Sequence, residues 1–86
     1  MKWCVYILEL HNGAYYTGIT NNLEKRIKKH SHGSGSVYVR SNLPIIKVAY
    51  VEYTDNRSSA SKREAEIKNM RRESKVKLIK DYQDRR

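Results

Sequence analysis

The sequence predicts a small α+β fold, a three-stranded antiparallel sheet flanked by helices in the order ββαβαα. Three observations predict it. Residues 3–10 and 14–19 have strand character and are separated by the turn signal His11-Asn12-Gly13, so they form a hairpin. Residues 45–53 are rich in β-branched and aromatic side chains and read as a third strand, which needs a partner in the same sheet. The remaining stretches carry apolar residues at helical spacing, bounded by cap residues. The chain is 86 residues, which fits one domain. Residues 1–82 are assigned to that domain and residues 83–86 to a basic C-terminal tail.

In chain order, Trp3, Val5 and Ile7 point one way along the first strand, and Cys4, Tyr6, Leu8 and Leu10 the other. Apolar groups on both faces predict a central strand covered on both sides. After the second strand, Thr20-Asn21-Asn22 supplies cap residues. With Asn21 as N-cap, Glu24 falls three residues later, close to a capping box. Leu23 and Ile27 mark the buried stripe of a helix running to about His32, which Gly33-Ser34-Gly35-Ser36 ends. Residues 33–44 make a long structureless connection, a length usually associated with function or disorder. Residues 54–61 offer turn and cap groups. A second long helix then runs to about Arg72 with Ala60, Ile67 and Met70 inside. Ser74 is read as the cap of a last short helix whose contacts are Val76, Leu78 and Ile79.

Composition narrows the function classes. Eighteen Lys+Arg against nine Asp+Glu give a net charge of +9, most of the excess falling in residues 57–86. Such an excess points to a polyanion, most often nucleic acid. A solvated basic helix face or tail gives the same number. One cysteine excludes an internal disulfide framework and a thiolate-rich zinc site. Mean hydropathy is −0.85, and the longest apolar run, residues 4–8, is far short of the roughly 20 residues of a membrane helix. Glu9 interrupts the N-terminal apolar stretch, so no signal peptide is read there. The expectation is a cytoplasmic protein with no membrane partner.

Polar groups at positions expected inside are the candidates for chemistry. Glu64 is i+4 from Ala60 and i−3 from Ile67, which sets a carboxylate beside an apolar stripe. Such a carboxylate is paired, binds a metal or is neutral. The plainer alternative is an ion pair with Lys68 or Arg71. Arg26 and His30, at i and i+4, present two donors on the first helix beside Leu23. The plainer alternative there is a solvated basic face with Lys25, Lys28 and Lys29. Tyr6, Tyr15 and Tyr16 lie in the hairpin, with Gly18 on the Tyr16 face. A glycine inside a strand marks close approach of a backbone or ligand, or else a bulge or strand end.

These residues resemble a family. Val5-Tyr6-Ile7 followed by Tyr16-Thr17-Gly18 resembles the paired strand motifs of the GIY-YIG nuclease superfamily. Arg26 lies eight residues after Gly18, His30 one turn further on, and Glu64 on the second long helix. The resemblance covers residues 3 to about 80. It looks closest to small stand-alone bacterial proteins consisting of the nuclease domain alone, whose Tyr-Thr-Gly-Ile-Thr segment, Gly-x-Gly loop, Tyr38-x-Arg40 and Arg-Glu-Ala-Glu-Ile segment all occur here.

The resemblance implies metal-dependent hydrolysis of DNA phosphodiester bonds, directed by the structure of branched or exposed strands. It places Glu64 on the metal, Tyr16 and Tyr6 at the attacking side, Arg26 on the phosphate, and Gly18 where the backbone must come close. His30 stands where other branches carry a tyrosine, and Ile19 where the DNA-repair excision nucleases carry a lysine. A single carboxylate ligand suits Mg²⁺, with Mn²⁺ as a substitute. A tyrosine of pKa ~10 is roughly 0.1% ionised at pH 7, and the cation and Arg26 are expected to lower that pKa. Tyr38 and Arg40 are read as the nucleic-acid contact, Arg40 on phosphate and Tyr38 stacking or plugging the core. The alternative is a nucleic-acid-binding module with weak or partner-dependent catalysis, for which a protein partner supplies specificity. RNA is a further candidate ligand.

The hairpin tests the shared site. A two-residue turn at Asn12-Gly13 would pair Tyr6 with Ile19 and put Tyr6 and Tyr16 on opposite faces. A three-residue loop, residues 11–13, pairs Tyr6 with Gly18 and Tyr16 with Leu8, and puts both tyrosines on one face. Gly13 suits the left-handed third position of that loop, so the three-residue turn is expected.

Overall fold

The computed structural model describes residues 2–85. Strand β1 (Trp3–Leu10) is central, flanked by β2 (Tyr15–Thr20) and β3 (Ile45–Thr54), both antiparallel to it, in the order β2-β1-β3. Helices α1 (Leu23–Ser31), α2 (Val37–Ser41), α3 (Arg57–Lys68) and α4 (Arg72–Asp84) complete the described residues. The α+β class and the three-stranded antiparallel sheet are as expected.

The three-residue turn is present. Leu10 N–H donates to Ala14 O and Gly13 N–H to Leu10 O, each at 2.9 Å, and Gly13 has φ 81°. Tyr6 therefore faces Gly18, and Leu8 faces Tyr16. The chain packs a core on each side of the sheet. Val5, Ile7, Ala49 and Tyr50 meet Ala60 and Ile67 of α3 and Ile79 of α4. Tyr6, Leu8 and Leu10 meet Val39 of α2, with Leu23 and Leu43 at the margin. β3 carries two irregularities. Ile7 pairs with Tyr50 and Leu8 with Val48, leaving Ala49 extra; Glu9 pairs with Lys47 and Leu10 with Ile45, leaving Ile46 extra.

Several elements differ from the sequence expectations. The long connection is not structureless, because Ser36 caps the short helix α2, accepting from Val39 N–H at 3.4 Å. The cap of α1 is Asn22, which accepts from Lys25 N–H at 3.1 Å, so Glu24 forms no capping box with Asn21. Thr20 explains the shift: its hydroxyl accepts from Asn22 N–H and donates to Asn22 O, fixing the entry to α1 one residue later. Leu23 and Ile27 are only half-buried, and the buried residue of α1 is His30. The second long helix stops at Lys68, not Arg72. Asn56 starts it by accepting from Ser59 N–H at 2.9 Å. Ser74 is not a cap: α4 begins at Arg72, with Arg71 as a cap that has no side-chain hydrogen bond. The last helix is 13 residues long, and Val76 is exposed on it. It carries Gln83 and Asp84 of the expected tail as helix; Arg86 lies outside the described residues.

Arg72 fastens α4 to the hairpin. Its guanidinium donates to Gly13 O at 2.8 Å and lies 4.8 Å from the centre of the Tyr15 ring. A Cβ at Gly13 would meet open space, so only backbone strain opposes one. Left-handed geometry costs an L-residue about 1–2 kcal/mol. Gly13→Ala should therefore lower the unfolding free energy by about 1 kcal/mol in urea titration, with an unchanged denaturant slope. An unchanged midpoint would contradict the turn assignment.

Candidate active site

The register places Tyr6, Tyr16 and Gly18 on one face of the hairpin. Gly18 is required there by space: a Cβ would lie 2.6 Å from Tyr6 Oη and 3.1 Å from the Tyr16 ring. Helix α1 delivers His30 to the same spot. Its Nε2 lies 2.9 Å from Tyr6 Oη, and both side chains are buried. The rings of Tyr16 and His30 meet edge-on with centroids 5.3 Å apart, and those of Tyr6 and Tyr16 are 6.4 Å apart. Tyr38 of α2, 49% exposed, stacks on Tyr16 at 6.3 Å and 23°. It is therefore the outer wall of the cluster and not a core plug.

His30 Nδ1 is buried and has no hydrogen-bond partner among the described residues. It points at Gly35, where a Cβ would approach it to 2.6 Å. A buried orphan N–H is rarer than an unused lone pair, so the proton is assigned to Nε2, which donates to Tyr6 Oη. Tyr6 then accepts from His30 and keeps its own proton for another acceptor. Burial pushes the Tyr6 pKa well above the usual phenol value, helped by the neighbouring Tyr16; Arg26 opposes the shift and Glu64 adds to it. The expected lowering by Arg26 thus exists but is outweighed by desolvation. Burial first, then Arg26, pushes the His30 pKa below its ordinary value. The pair is neutral at neutral pH.

Arg26 and His30 have separate tasks on α1: His30 turns inward, while Arg26 is half-buried beside a shallow pocket of about 190 Å³. Thr20, Asn21, Asn22, Lys25 and Lys29 complete that pocket. The sequence offered Lys25 and Lys29 only as a solvated face; the i, i+3, i+4, i+7 spacing of Asn22, Lys25, Arg26 and Lys29 was the available signal. Arg40 is exposed, its stem packed over Gly33. Gly35 was also missed, since its role depends on where His30 Nδ1 lands.

Glu64 lies on α3, which packs against β2 and β1 from the Val5–Ile7 side. Its charge is still felt, weakly, at the Tyr6 phenol on the other face. The carboxylate is 23% exposed and lies 3.4 Å from Lys68 Nζ, so the ion pair given as the plainer alternative is present. Such a pair contributes about 0–1 kcal/mol and yields readily to a stronger cation. Among the described residues no three His, Cys, Asp or Glu gather to hold a metal. One accessible carboxylate fits a hard, largely hydrated divalent ion and not a soft or imidazole-ligated one.

An aromatic cluster, a helix arginine and one helix carboxylate assembled around a β-hairpin define a class, and comparison with known proteins agrees. The family model described as the GIY-YIG catalytic domain matches residues 2–77, and the chain belongs to the GIY-YIG family. It is similar to bacterial UPF0213 proteins. One from Clostridium perfringens is 47% identical over 75 residues, covering 87% of this chain and 80% of that protein. One from Staphylococcus saprophyticus is 41% identical, covering 93% and 96%. The solution NMR structure of a UPF0213 protein from Bacillus halodurans matches with TM-score 0.60 and 35% identity, covering 93% of this chain and 84% of that one. Among the described residues no helix is long and apolar enough to cross a membrane.

The depressed His30 pKa carries a pH signature. Folding favours neutral His30, so its stabilising contribution is complete above the unfolded value of about 6.5 and is lost as pH falls through the lower folded value. Unfolding free energy should fall as pH drops below about 6.5, and His30→Gln should flatten that slope even while lowering stability overall. An unchanged slope in His30→Gln would remove His30 as its source.

Proposed function

We propose that the protein is a divalent-metal-dependent nuclease that hydrolyses phosphodiester bonds of DNA. The observation that carries this reading is the cluster of Tyr6, Tyr16 and His30 closed over Gly18, with Arg26 and Glu64 both felt electrostatically at Tyr6. Arg26 binds the scissile phosphate and stabilises the charge that grows on it. The pocket formed with Lys25 and Lys29 takes an adjoining backbone phosphate. Tyr16, half-buried and at the open side of the cluster, orients the attacking water, and in its phenolate form, its own proton already lost to solvent, takes the water's proton. As the oxygen–phosphorus bond forms, the bond to the leaving oxygen breaks, and that oxygen takes up a solvent proton. Tyr6 keeps its proton and donates a hydrogen bond at the attacking side, its oxygen held by His30. Gly18 leaves the space that this arrangement occupies.

Glu64 would hold the metal, Mg²⁺ or Mn²⁺. Bound there, the ion would act as a Lewis acid on phosphoryl oxygen. Tyr38 offers a base an exposed stacking surface, and Arg40 a phosphate contact. Strand specificity is read from DNA shape or supplied by a protein partner. A second reading, a binding module with weak catalysis for DNA or RNA, is favoured by one observation: the Tyr6 pKa is raised, so this phenol is no base.

Labelled DNA with Mg²⁺ or Mn²⁺ separates the two. Wild type should cleave, while Glu64→Gln and Tyr16→Phe should each lose at least about 100-fold in rate with nearly unchanged DNA binding. Binding without cleavage by all three proteins would establish the binding module, and full activity in Glu64→Gln would refute the metal assignment.

A further inference from the structure

We propose that the outer edge of β3 is a self-association surface, on which a second copy adds its own β3 antiparallel to form a six-stranded sheet. β1 occupies one edge of β3, and among the described residues no strand pairs with the other. Ile46 and Tyr53 on this strand are 55% and 63% exposed, an apolar pair at a free edge.

The register follows from symmetry. A two-fold axis through the sheet requires each residue to face one that projects to the same side. In a regular strand, with its side-chain period of two, only registers that set a residue against itself meet this condition. β3 is not regular. Its extra residue, Ala49, packs with Tyr50 in the core cluster of Val5 and Ile7, so both project to one face. Ala49 can therefore face the partner's Tyr50. Moving outward, Val48 faces the partner's Val51 and Lys47 the partner's Glu52.

The β1 register shows that these pairs match. Val48 and Val51 are opposite Leu8 and Tyr6 on one face; Lys47 and Glu52 are opposite Glu9 and Val5 on the other. Centring the pairing on Ala49 or Tyr50 sets opposite faces against each other across the bulge. Centring it on Glu52 sets like charges together. The bulged register alone joins apolar to apolar and cation to anion along the strand.

Lysines and bulges ordinarily blunt a free edge. Here each lysine meets a carboxylate with room to receive it. The hydrogen bonds that Glu52 accepts from Tyr50 and Arg63 both go to Oε1, which leaves Oε2 for the partner's Lys47. A cavity of about 380 Å³ between β3 and α4, lined in part by Tyr50, Glu52, Leu78 and Tyr82, leaves space beside Glu52. With the axis perpendicular to the sheet, both Tyr6–Tyr16 faces look the same way. The two β2 strands are then the outer edges, five strand spacings or about 24 Å apart.

Sedimentation velocity over a concentration series tests the surface. Wild type should show a monomer–dimer equilibrium. Lys47→Glu and Glu52→Lys should each weaken it at least about tenfold, because each homodimer then holds two like-charge pairs. Mixed together, the two variants should recover it, since both pairs in the heterodimer are again of opposite sign. Circular dichroism checks folding. Should Glu52→Lys fail to fold, Tyr53→Lys should weaken the dimer by a similar factor. A wild type that stays monomeric at roughly millimolar concentration, or a Lys47→Glu variant that dimerises as wild type does, would overturn the proposal.

Discussion

The site depends on one missing atom. Tyr6 Oη occupies the space that a Cβ on residue 18 would fill, and it meets His30 Nε2 from there. That placement follows from register, and register follows from the three-residue turn closed by Gly13. A two-residue turn would send Tyr6 and Tyr16 to opposite faces, because strand side chains alternate. The turn thus decides which side chains share a face, and Gly18 decides that they can approach. Arg72, bound to Gly13 O, ties the far end of the chain to the same turn.

Burial and charge divide the work around that point. Desolvation keeps Tyr6 and His30 neutral, so the inner pair acts as a hydrogen-bonded brace rather than as an acid and a base. Tyr16, less buried, and Arg26, at the mouth of the basic pocket, face outward. Glu64 comes from α3, on the Val5–Ile7 side of the sheet, and its charge is felt at the Tyr6 phenol on the other side.

Much of this was legible because it is carried by short-range patterns. Alternation in residues 3–10 names the two faces of β1, and the turn chemistry of Gly13 selects the register. The ordered tyrosine, arginine and glutamate positions resemble the family to which the chain belongs. What was not legible depends on long-range placement. Residues 33–44 read as a loop because glycine and serine dominate their start, yet Ser36 caps a helix whose Val39 fills the core beside Leu8. His30 read as one of two donors beside Leu23, with a solvated lysine-rich face as the alternative, because the depth of its burial is set by the hairpin it packs on. Ser74 read as a cap by residue type, but the backbone of Arg71 starts α4 three residues earlier. Gly35 has no local signal at all, since only the position of His30 Nδ1 makes it necessary.

The central claim is that Glu64, which would hold the metal, serves the same site as the hairpin tyrosines although they belong to different layers. Paramagnetic broadening of the amide spectrum by substoichiometric Mn²⁺ tests it without reference to catalysis. The account predicts that broadening centres on Glu64 and on residues 16–18 of β2, and that Glu64→Gln abolishes it. Broadening centred on the acidic residues of α4, or unchanged in Glu64→Gln, would contradict it.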